Sequence, residues 1–150
     1  MKVADLMNRA ARAVRPHQLL SEAAQIMWDA DCGWLPVIDE NQEVVGVITD
    51  RDLCMAAYTR GRRLDEIAVA GTMVTNVFSC KADEALSVAV LIMRDQKVRR
   101  VPVVDDDGKL VGLVSLSDVA QHARAHGGLE DVGVTLAAIC KPRAAPASAD

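Results

Sequence analysis

Two short motifs of hydroxyl and carboxylate side chains are the strongest candidates for chemistry. Thr49 is followed three residues later by Asp52, and Ser115 by Asp118, with Ser117 as a further hydroxyl. Each motif follows an apolar run and precedes a predicted helix, which indicates a strand-to-helix corner. The free N–H groups of a helix N-terminus favour an anion, so the first hydroxyl can hold a phosphate oxygen or cap the helix. The carboxylate one turn further along can accept two hydroxyl hydrogen bonds, as from a ribose.

The same residues also have a purely structural interpretation. Thr49 and Ser115 can serve only as helix caps, while Asp52 and Asp118 only stabilise the first helical turn. A single motif does not separate the two interpretations. The occurrence of two matched copies in one chain favours a ligand site.

The two motifs are corresponding parts of an internal repeat. Pro36 and Pro102 lie 66 positions apart, as do Gly46 and Gly112, and this offset runs without a gap through positions 3–57 of the first copy. Such a repeat indicates two copies of one structural unit. One unit of about 60 residues is marginal as an independent fold, whereas two units together can bury an ordinary core. We therefore expect the functional groove where the copies meet.

Hydrophobic spacing predicts the same order of elements in both copies. A helical turn and a short strand lead into a helix, two strands joined by a polar turn, and a second helix. The predicted fold class is therefore α+β, with two βαββα units related by a pseudo-two-fold axis, their sheets packed together and their helices outward. For the first copy the expected positions are 3–7, 13–14, 20–31, 34–38, 44–48 and 49–58; for the second they are 69–73, 77–79, 86–96, 100–104, 110–114 and 115–124.

Composition shifts divide the chain into four parts. We assign repeat 1 to 1–60, a linker to 61–67, repeat 2 to 68–126 and a C-terminal extension to 127–150. In the extension, the apolar stretch 132–139 predicts a short helix that covers the core or a partner subunit. The end of the extension is rich in Ala, Pro and Ser, and we expect it to be disordered.

Bulk properties exclude several classes of protein. The chain is 51% hydrophobic with one Phe and one Tyr, which predicts an aliphatic core. A net charge of −4 argues against a general nucleic-acid binder. No apolar run has the length of a membrane span, and the N-terminus lacks the apolar region of a signal peptide. We expect a cytoplasmic protein without a membrane partner.

Metal binding and nucleophilic catalysis have little support. The four cysteines form no C-x-x-C pair and are expected to be buried or half-buried thiols, with Cys80 in an apolar position. A disulfide between Cys80 and Cys140 has no support in the sequence. His122 and His126 have a metal-compatible spacing, but without a third ligand a cationic helix end is the simpler interpretation. No Cys/His or Ser/His arrangement favours covalent catalysis.

The strand that leads to each corner differs in charge between the copies. Arg99 and Arg100 precede the second copy's first strand, and a guanidinium is well suited to phosphate. Gly33 and Trp34 stand at the same positions of the first copy, where the indole can stack on a base or fill the cleft. We therefore expect two unequal clefts. Trp28 lies off the apolar stripe of its helix and indicates an interface.

With its Pro-Val-apolar-Asp and Gly-apolar-apolar-Thr/Ser-x-x-Asp motifs in both copies, the chain resembles a tandem pair of cystathionine-β-synthase (CBS) domains, a Bateman module. The resemblance covers residues 2–126 and leaves no separate catalytic domain. Small stand-alone bacterial CBS pairs are similar, and the segment 138–142 resembles the tail of hypoxia-response members.

The resemblance implies a regulatory module rather than an enzyme. An adenosine nucleotide (AMP, ADP or ATP, with AMP foremost) would bind reversibly between the repeats, and an unidentified protein would read the change in their relative angle. A homodimer formed through the helices and the absence of a metal are also expected. The alternatives are a ligand-free dimeric interaction module and a binder of S-adenosylmethionine or a dinucleotide. The candidate ligand-binding residues are Thr49, Asp52, Ser115, Ser117, Asp118, Arg99, Arg100, Trp34, Pro36 and Pro102.

Overall fold

The computed structural model of the chain describes residues 1–142 and shows the same elements twice. Short 3₁₀ turns at Val3–Asp5 and Val69–Gly71 lead into the repeats, and a third lies at Leu64–Glu66. The first repeat contains α1 (Leu20–Asp29), β1 (Trp34–Ile38), β2 (Val44–Thr49) and α2 (Asp50–Arg60). The second contains β3 (Cys80–Lys81), α3 (Leu86–Gln96), β4 (Arg100–Val104), β5 (Leu110–Ser115) and α4 (Leu116–His126), and α5 (Leu129–Cys140) follows.

The strands form two small sheets that confirm the predicted hairpins. β1 pairs antiparallel with β2, and β4 pairs antiparallel with β5. β3 adds to the second hairpin as a parallel edge strand, whereas the first repeat has only an isolated parallel bridge between Val14 and Val37 at that place. The prediction of a second leading strand at 77–79 is wrong by three residues. Cys80 is the residue equivalent to Val14, and both fill their own repeat's core.

Helix ends differ from the predictions by about one turn at most. α1 stops at Asp29, and the amide of Cys32 then donates to the carbonyl of Met27 while Asp31 adopts a left-handed φ of 48°. α2 and α4 run further than expected, to Arg60 and His126. Gly61 closes α2 because its φ of 58° lies in the left-handed region that glycine tolerates.

A pseudo-two-fold axis passes between the two hairpins. The amide of Val44 donates to the carbonyl of Gly108 at 3.2 Å, and the amide of Leu110 donates to that of Gln42 at 3.0 Å. These two bonds are equivalent under the 66-residue offset. The start of β2 therefore lies beside the start of β5 and joins the repeats directly.

The segments that lead into the repeats are exchanged between the two cores. Val3 and Met7 pack in the core of the second repeat, while Ile67 and Val69 pack in the core of the first. The backbone supports the exchange. Asn8 pairs with Leu113 of β5, and Val74 pairs with Val47 of β2. Each repeat is thus completed by an N-terminal segment that precedes the other copy in sequence.

Two glycines make this exchange possible at close range. A Cβ placed on Gly46 would lie 2.8 Å from Sδ of Met73, and one on Gly112 would lie 2.9 Å from Sδ of Met7. Both distances are shorter than any normal contact. The Gly of each motif is therefore where the exchanged segment crosses the strand.

α5 confirms the extra helix expected after the second repeat. It packs against α3 and α4, and Val132 and Ile139 contact the second core. No helix within residues 1–142 has the length and apolarity needed to cross a membrane. The end of the chain expected to be disordered falls, from residue 143 onward, outside the described residues.

All four cysteines are free thiols, and their environments differ. Cys54 and Cys140 are exposed, Cys32 is half-buried and Cys80 is buried. Burial raises the pKa of the Cys80 thiol to about 11, with a smaller contribution from the charge of Glu84. Cys80 therefore acts as an apolar side chain, as the sequence predicted, and makes no disulfide with Cys140.

Candidate ligand-binding corners

The first corner is a complete capping box at the start of α2. The backbone amide of Thr49 donates to Oδ2 of Asp52 at 2.8 Å, and the Thr49 hydroxyl donates to the same oxygen at 2.8 Å. In return, the amide of Asp52 donates to Oγ1 of Thr49 at 3.2 Å. Both side chains are half-buried. Thr49 and Asp52 therefore have the capping role that the sequence predicted as one of their two interpretations.

The second corner repeats this geometry at the start of α4. The amide and hydroxyl of Ser115 donate to Oδ2 of Asp118 at 2.9 and 2.6 Å, and the amide of Asp118 donates to Oγ of Ser115 at 3.2 Å. Ser117 is exposed, and its Oγ accepts a 3.3 Å hydrogen bond from Nε2 of Gln121. Ser117 thus points along the helix surface rather than into the capping box.

In both capping boxes one oxygen of each carboxylate remains available. Oδ2 of Asp52 and Oδ2 of Asp118 take the cap hydrogen bonds, whereas Oδ1 takes none within the described residues. An ionised carboxylate has about four acceptor positions, so Oδ1 can still accept hydroxyl groups. Capping and ligand binding are therefore compatible at the carboxylates.

Strand register places the remaining candidates beside the corners. Trp34 pairs directly with Thr49 across β1 and β2, and Arg100 pairs with Ser115 across β4 and β5. Residues opposite each other in an antiparallel pair lie within side-chain reach. Pro36 and Pro102 lie two residues further along the same strands and are buried.

Backbone bonds fix each helix start against the strand that leads to the corner. The amide of Asp50 donates to the carbonyl of Gly33 at 3.1 Å, and that of Leu116 donates to the carbonyl of Arg99 at 2.9 Å. The Arg99 side chain itself is exposed. The equivalence of these two bonds shows that the corners share one backbone geometry although their side chains differ.

Arg100 reaches over to the first repeat. It lines a cavity of about 410 Å³ together with Asp31, Gly33 and Asp50, although its strand partner is Ser115. The arginine and the uncharged Gly33 position therefore face one cavity, instead of belonging to separate clefts. The carboxylates of Asp31 and Asp50 line the same cavity and reduce its positive potential.

Sequence reasoning did not single out Asp50 and Asp31. The Asp50 carboxylate occupies the space that a Cβ at residue 33 would need, so it covers Gly33 closely. The available signal was the acidic residue directly after Thr49, where the second repeat has Leu116. The sequence therefore shows a negative charge at the start of α2 that is missing at the start of α4.

Metal-ligating residues are not grouped in the described part of the chain. No three His, Cys, Asp or Glu side chains of residues 1–142 are placed to hold an ion together. The rings of His122 and His126 stack with their centroids 4.3 Å apart, and Nδ1 of His126 lies 3.1 Å from the carbonyl of His122. This pair lies in the last turns of α4.

Comparison with protein families identifies both repeats. The profile of the CBS domain matches residues 3–58 and 65–124. Hypoxic response protein 1 of Mycobacterium tuberculosis is 33% identical over 142 residues, which cover 93% of this chain and 94% of that protein. Protein MK0525 of Methanopyrus kandleri is 31% identical over 81% of this chain, which spans 62% of the length of MK0525.

Solved structures with the same fold contain small ligands or metal. The CBS domain pair of protein MJ0100, in complex with 5′-methylthioadenosine and S-adenosyl-L-methionine, has a TM-score of 0.76 at 25% identity and covers 84% of this chain and 98% of its own. CBSX2 in complex with AMP has a TM-score of 0.73 at 28% identity, with coverage of 85% and 98%. Hypoxic Response Protein I with two coordinated zinc ions has a TM-score of 0.74 at 29% identity, with coverage of 81% and 98%.

Proposed function

This chain belongs to the CBS-domain family, and we propose that it is a cytoplasmic regulatory module that binds an adenosine ligand between its two repeats without turning it over. The observation that carries the proposal is the pair of matched corners, each with one unused carboxylate oxygen. The complexes of MJ0100 and CBSX2 support an adenosine ligand for this fold. AMP is the ligand that we propose first.

In this proposal each carboxylate keeps its capping role while it binds. Oδ1 of Asp52 or Asp118 accepts hydrogen bonds from the two ribose hydroxyls. The hydroxyl of Thr49 or Ser115 rotates away from Oδ2 and donates to a phosphate oxygen, with the helix N-terminus adding its positive end. The cap then retains the two backbone hydrogen bonds.

Ligand binding would be transmitted to a partner through the contacts that join the repeats. The Val44–Gly108 and Leu110–Gln42 hydrogen bonds and the exchanged segments connect the two halves. A ligand that contacts both halves stabilises one relative angle over another. We propose that a partner protein responds to that angle.

The arginines offer a test of the phosphate's position. We expect the double variant Arg99→Ala, Arg100→Ala to bind AMP about tenfold or more weakly, because charge-assisted contacts are roughly twice as strong as neutral ones. Adenosine should be affected less, and the difference should shrink at high salt because Arg99 is exposed. Isothermal titration calorimetry at two salt concentrations measures both ligands.

A matched control removes an arginine from elsewhere on the surface. Arg62 is exposed in the loop after α2, so Arg62→Ala should leave both affinities unchanged. If the double variant binds AMP as tightly as the parent protein, the arginines are solvent-exposed surface residues that do not contact the phosphate. Equal loss for AMP and adenosine would instead indicate a structural effect.

A ligand-free interaction module is the second candidate. Its support is that the Thr49 and Ser115 hydroxyls act as helix caps, and that Trp28 and Tyr58 are 84% and 81% exposed. We also propose that the protein is a homodimer, in keeping with the prevalence of two-fold assemblies.

One experiment separates the two candidates. The protein is purified under native conditions and then denatured, and the released small molecules are identified by mass spectrometry. An adenosine compound at stoichiometric amount supports the sensing module, and its identity distinguishes AMP from S-adenosylmethionine or a dinucleotide. If nothing is released and calorimetry with each of these ligands shows no binding, the sensing module is wrong and the ligand-free interaction module is favoured. Incubation with ATP, ADP and AMP should show no product.

A further inference from the structure

The first turns of α2 and α4 differ at one backbone amide. The amide of Arg51, the second residue of α2, donates to Oδ1 of Asp50 at 2.7 Å. The amide of Ser117, its equivalent at the 66-residue offset, makes no hydrogen bond within residues 1–142. The equivalent of Asp50 in the second repeat is the buried Leu116. An amide in the first turn of a helix can bind an anion, and in α2 a carboxylate of the chain itself already accepts that hydrogen bond.

A second acid adds to the negative charge at the first corner. Asp31 and Asp50 both line the cavity of about 410 Å³, and Arg100 lines it as well. Two carboxylates therefore stand against one guanidinium, which gives these side chains a net negative charge. Arg100 forms no ion pair within the described chain, so neither acid holds it. Its guanidinium remains available to a phosphate at Ser115, its neighbour across β4 and β5.

The second corner has no acid at the equivalent positions. Asp31 corresponds to Lys97, which directly follows α3, and Asp50 corresponds to Leu116. The position of Gly33 is taken by Arg99. Two acids of the first repeat are thus replaced by a cation and an apolar side chain in the second, although the backbone geometry of the corners is the same.

These charges determine which adenosine compound suits each corner. A phosphate monoester carries about two negative charges near neutral pH. At the first corner it would compete with the Asp50 carboxylate for the amide of Arg51 and would be repelled by Asp31. Hydrogen bonds from ribose hydroxyls to Oδ1 of Asp52 involve no ligand charge, so the acids do not oppose them. The first corner therefore favours the nucleoside part of the ligand and disfavours its phosphate.

We propose that Asp50 is a specificity-determining residue, an internal anion that excludes phosphate from the first corner. The first corner then binds an adenosine compound whose 5′ group is neutral or positively charged, while a phosphorylated ligand binds at the second corner. This inference rests on the proposed function, because it assigns different ligands to the two proposed sites. It extends that function from one nucleotide to two classes of adenosine compound.

Three ligands that differ only at the 5′ position test the assignment. AMP is an anion there, adenosine is neutral, and 5′-amino-5′-deoxyadenosine is a cation. Calorimetry is carried out on two single-corner variants, Asp118→Asn with the first corner intact and Asp52→Asn with the second. At the first corner we expect the amine to bind most tightly and AMP about tenfold or more weakly than the amine. At the second corner the order should reverse.

Asp50→Asn removes the charge but keeps an oxygen that can accept the amide of Arg51. Added to Asp118→Asn, it should strengthen AMP binding about tenfold or more and weaken binding of the amine. Opposite shifts for two ligands of the same shape are not produced by a loss of structure. Asp83→Asn, at an exposed acid that precedes α3, is the matched control and should shift neither affinity.

The possible outcomes separate this inference from the proposed function. If AMP and the amine bind equally at the first corner, or if Asp50→Asn changes neither affinity, Asp50 does not set the specificity and the adenosine-binding module still stands. If the parent protein binds none of the three ligands, the proposed function is wrong and the inference fails with it.

Discussion

Alanine at Gly46 or Gly112 is expected to destabilise the protein by about 1–3 kcal/mol, as overpacking of a filled site does. At Gly112 the new Cβ would lie 2.9 Å from Sδ of Met7 and 3.1 Å from the carbonyl oxygen of residue 8. The methionine can move, but that carbonyl accepts the amide of Leu113 at 2.9 Å and is held in place. Urea denaturation measures the change in the free energy of unfolding.

Gly133 provides the control for this substitution. It lies within α5, its φ is not positive, and a Cβ there meets nothing within 4 Å. Gly133→Ala should therefore stabilise the protein by about 0.5–1 kcal/mol through helix propensity. If Gly112→Ala does not lower the free energy of unfolding, the strand crossing is not tightly packed.

A double-mutant cycle tests the exchange of the leading segments. Because Met7 contacts Gly112, the effects of Met7→Ala and Gly112→Ala should be non-additive. The truncated side chain removes the 2.9 Å contact with Sδ, while the 3.1 Å contact with the backbone carbonyl of Asn8 remains. Met7→Ala and Gly46→Ala should be additive, because Gly46 contacts Met73 instead. The opposite result would mean that each segment packs against its own repeat.

Loss of the corner carboxylates is expected to weaken adenosine-ligand binding more than any other change. In the double variant Asp52→Ala, Asp118→Ala, each site loses hydrogen bonds to a charged acceptor, at about 1.5–3 kcal/mol per bond. This corresponds to an affinity reduced roughly tenfold to 150-fold per bond, which calorimetry with AMP detects directly. Unchanged affinity would remove the carboxylates from the binding site.

Capping has to be separated from binding in this experiment. Each Ala variant also loses a capping box and about 0.5–2 kcal/mol of stability. Asp52→Asn and Asp118→Asn keep an oxygen for the cap but replace the free acceptor with an NH₂ donor. They should lose ligand affinity with little loss of stability. Glu22→Ala removes the 2.8 Å hydrogen bond to the amide of Leu19 at the start of α1, and should lower stability without affecting AMP.

The sequence could predict the parts of the fold that depend on local pattern. Apolar spacing along α1 and α3 and turn residues between the strands are local, and so is the Thr49–Asp52 spacing, which identified the corner and its capping alternative together. The exchange of the leading segments could not be predicted in this way. Val3 and Val69 both begin a Val-Ala-x-x-Met segment, so the pattern predicts that both are buried but not in which core.

The reach of Arg100 illustrates the same limit for the candidate site. Its position at the start of β4 and its pairing with Ser115 follow from the repeat. Its location beside Gly33 and Asp50 depends on how the two repeats are placed against each other, which no local pattern encodes. The sequence therefore identified the cationic residue but not the charges that surround it.

The exchange of the leading segments determines which of the two cores can form first during synthesis. Ile67 and Val69 leave the ribosome shortly after α2, so the first core can close while the second repeat is still being made. Val3 and Met7 are made first, yet their partners Val101 and Val114 are made much later. The nascent N-terminus must stay available, with its apolar side chains unburied, until most of the chain has emerged. A fusion or tag that restrains the first residues should therefore impair the second half of the protein, which lies at the opposite end of the gene.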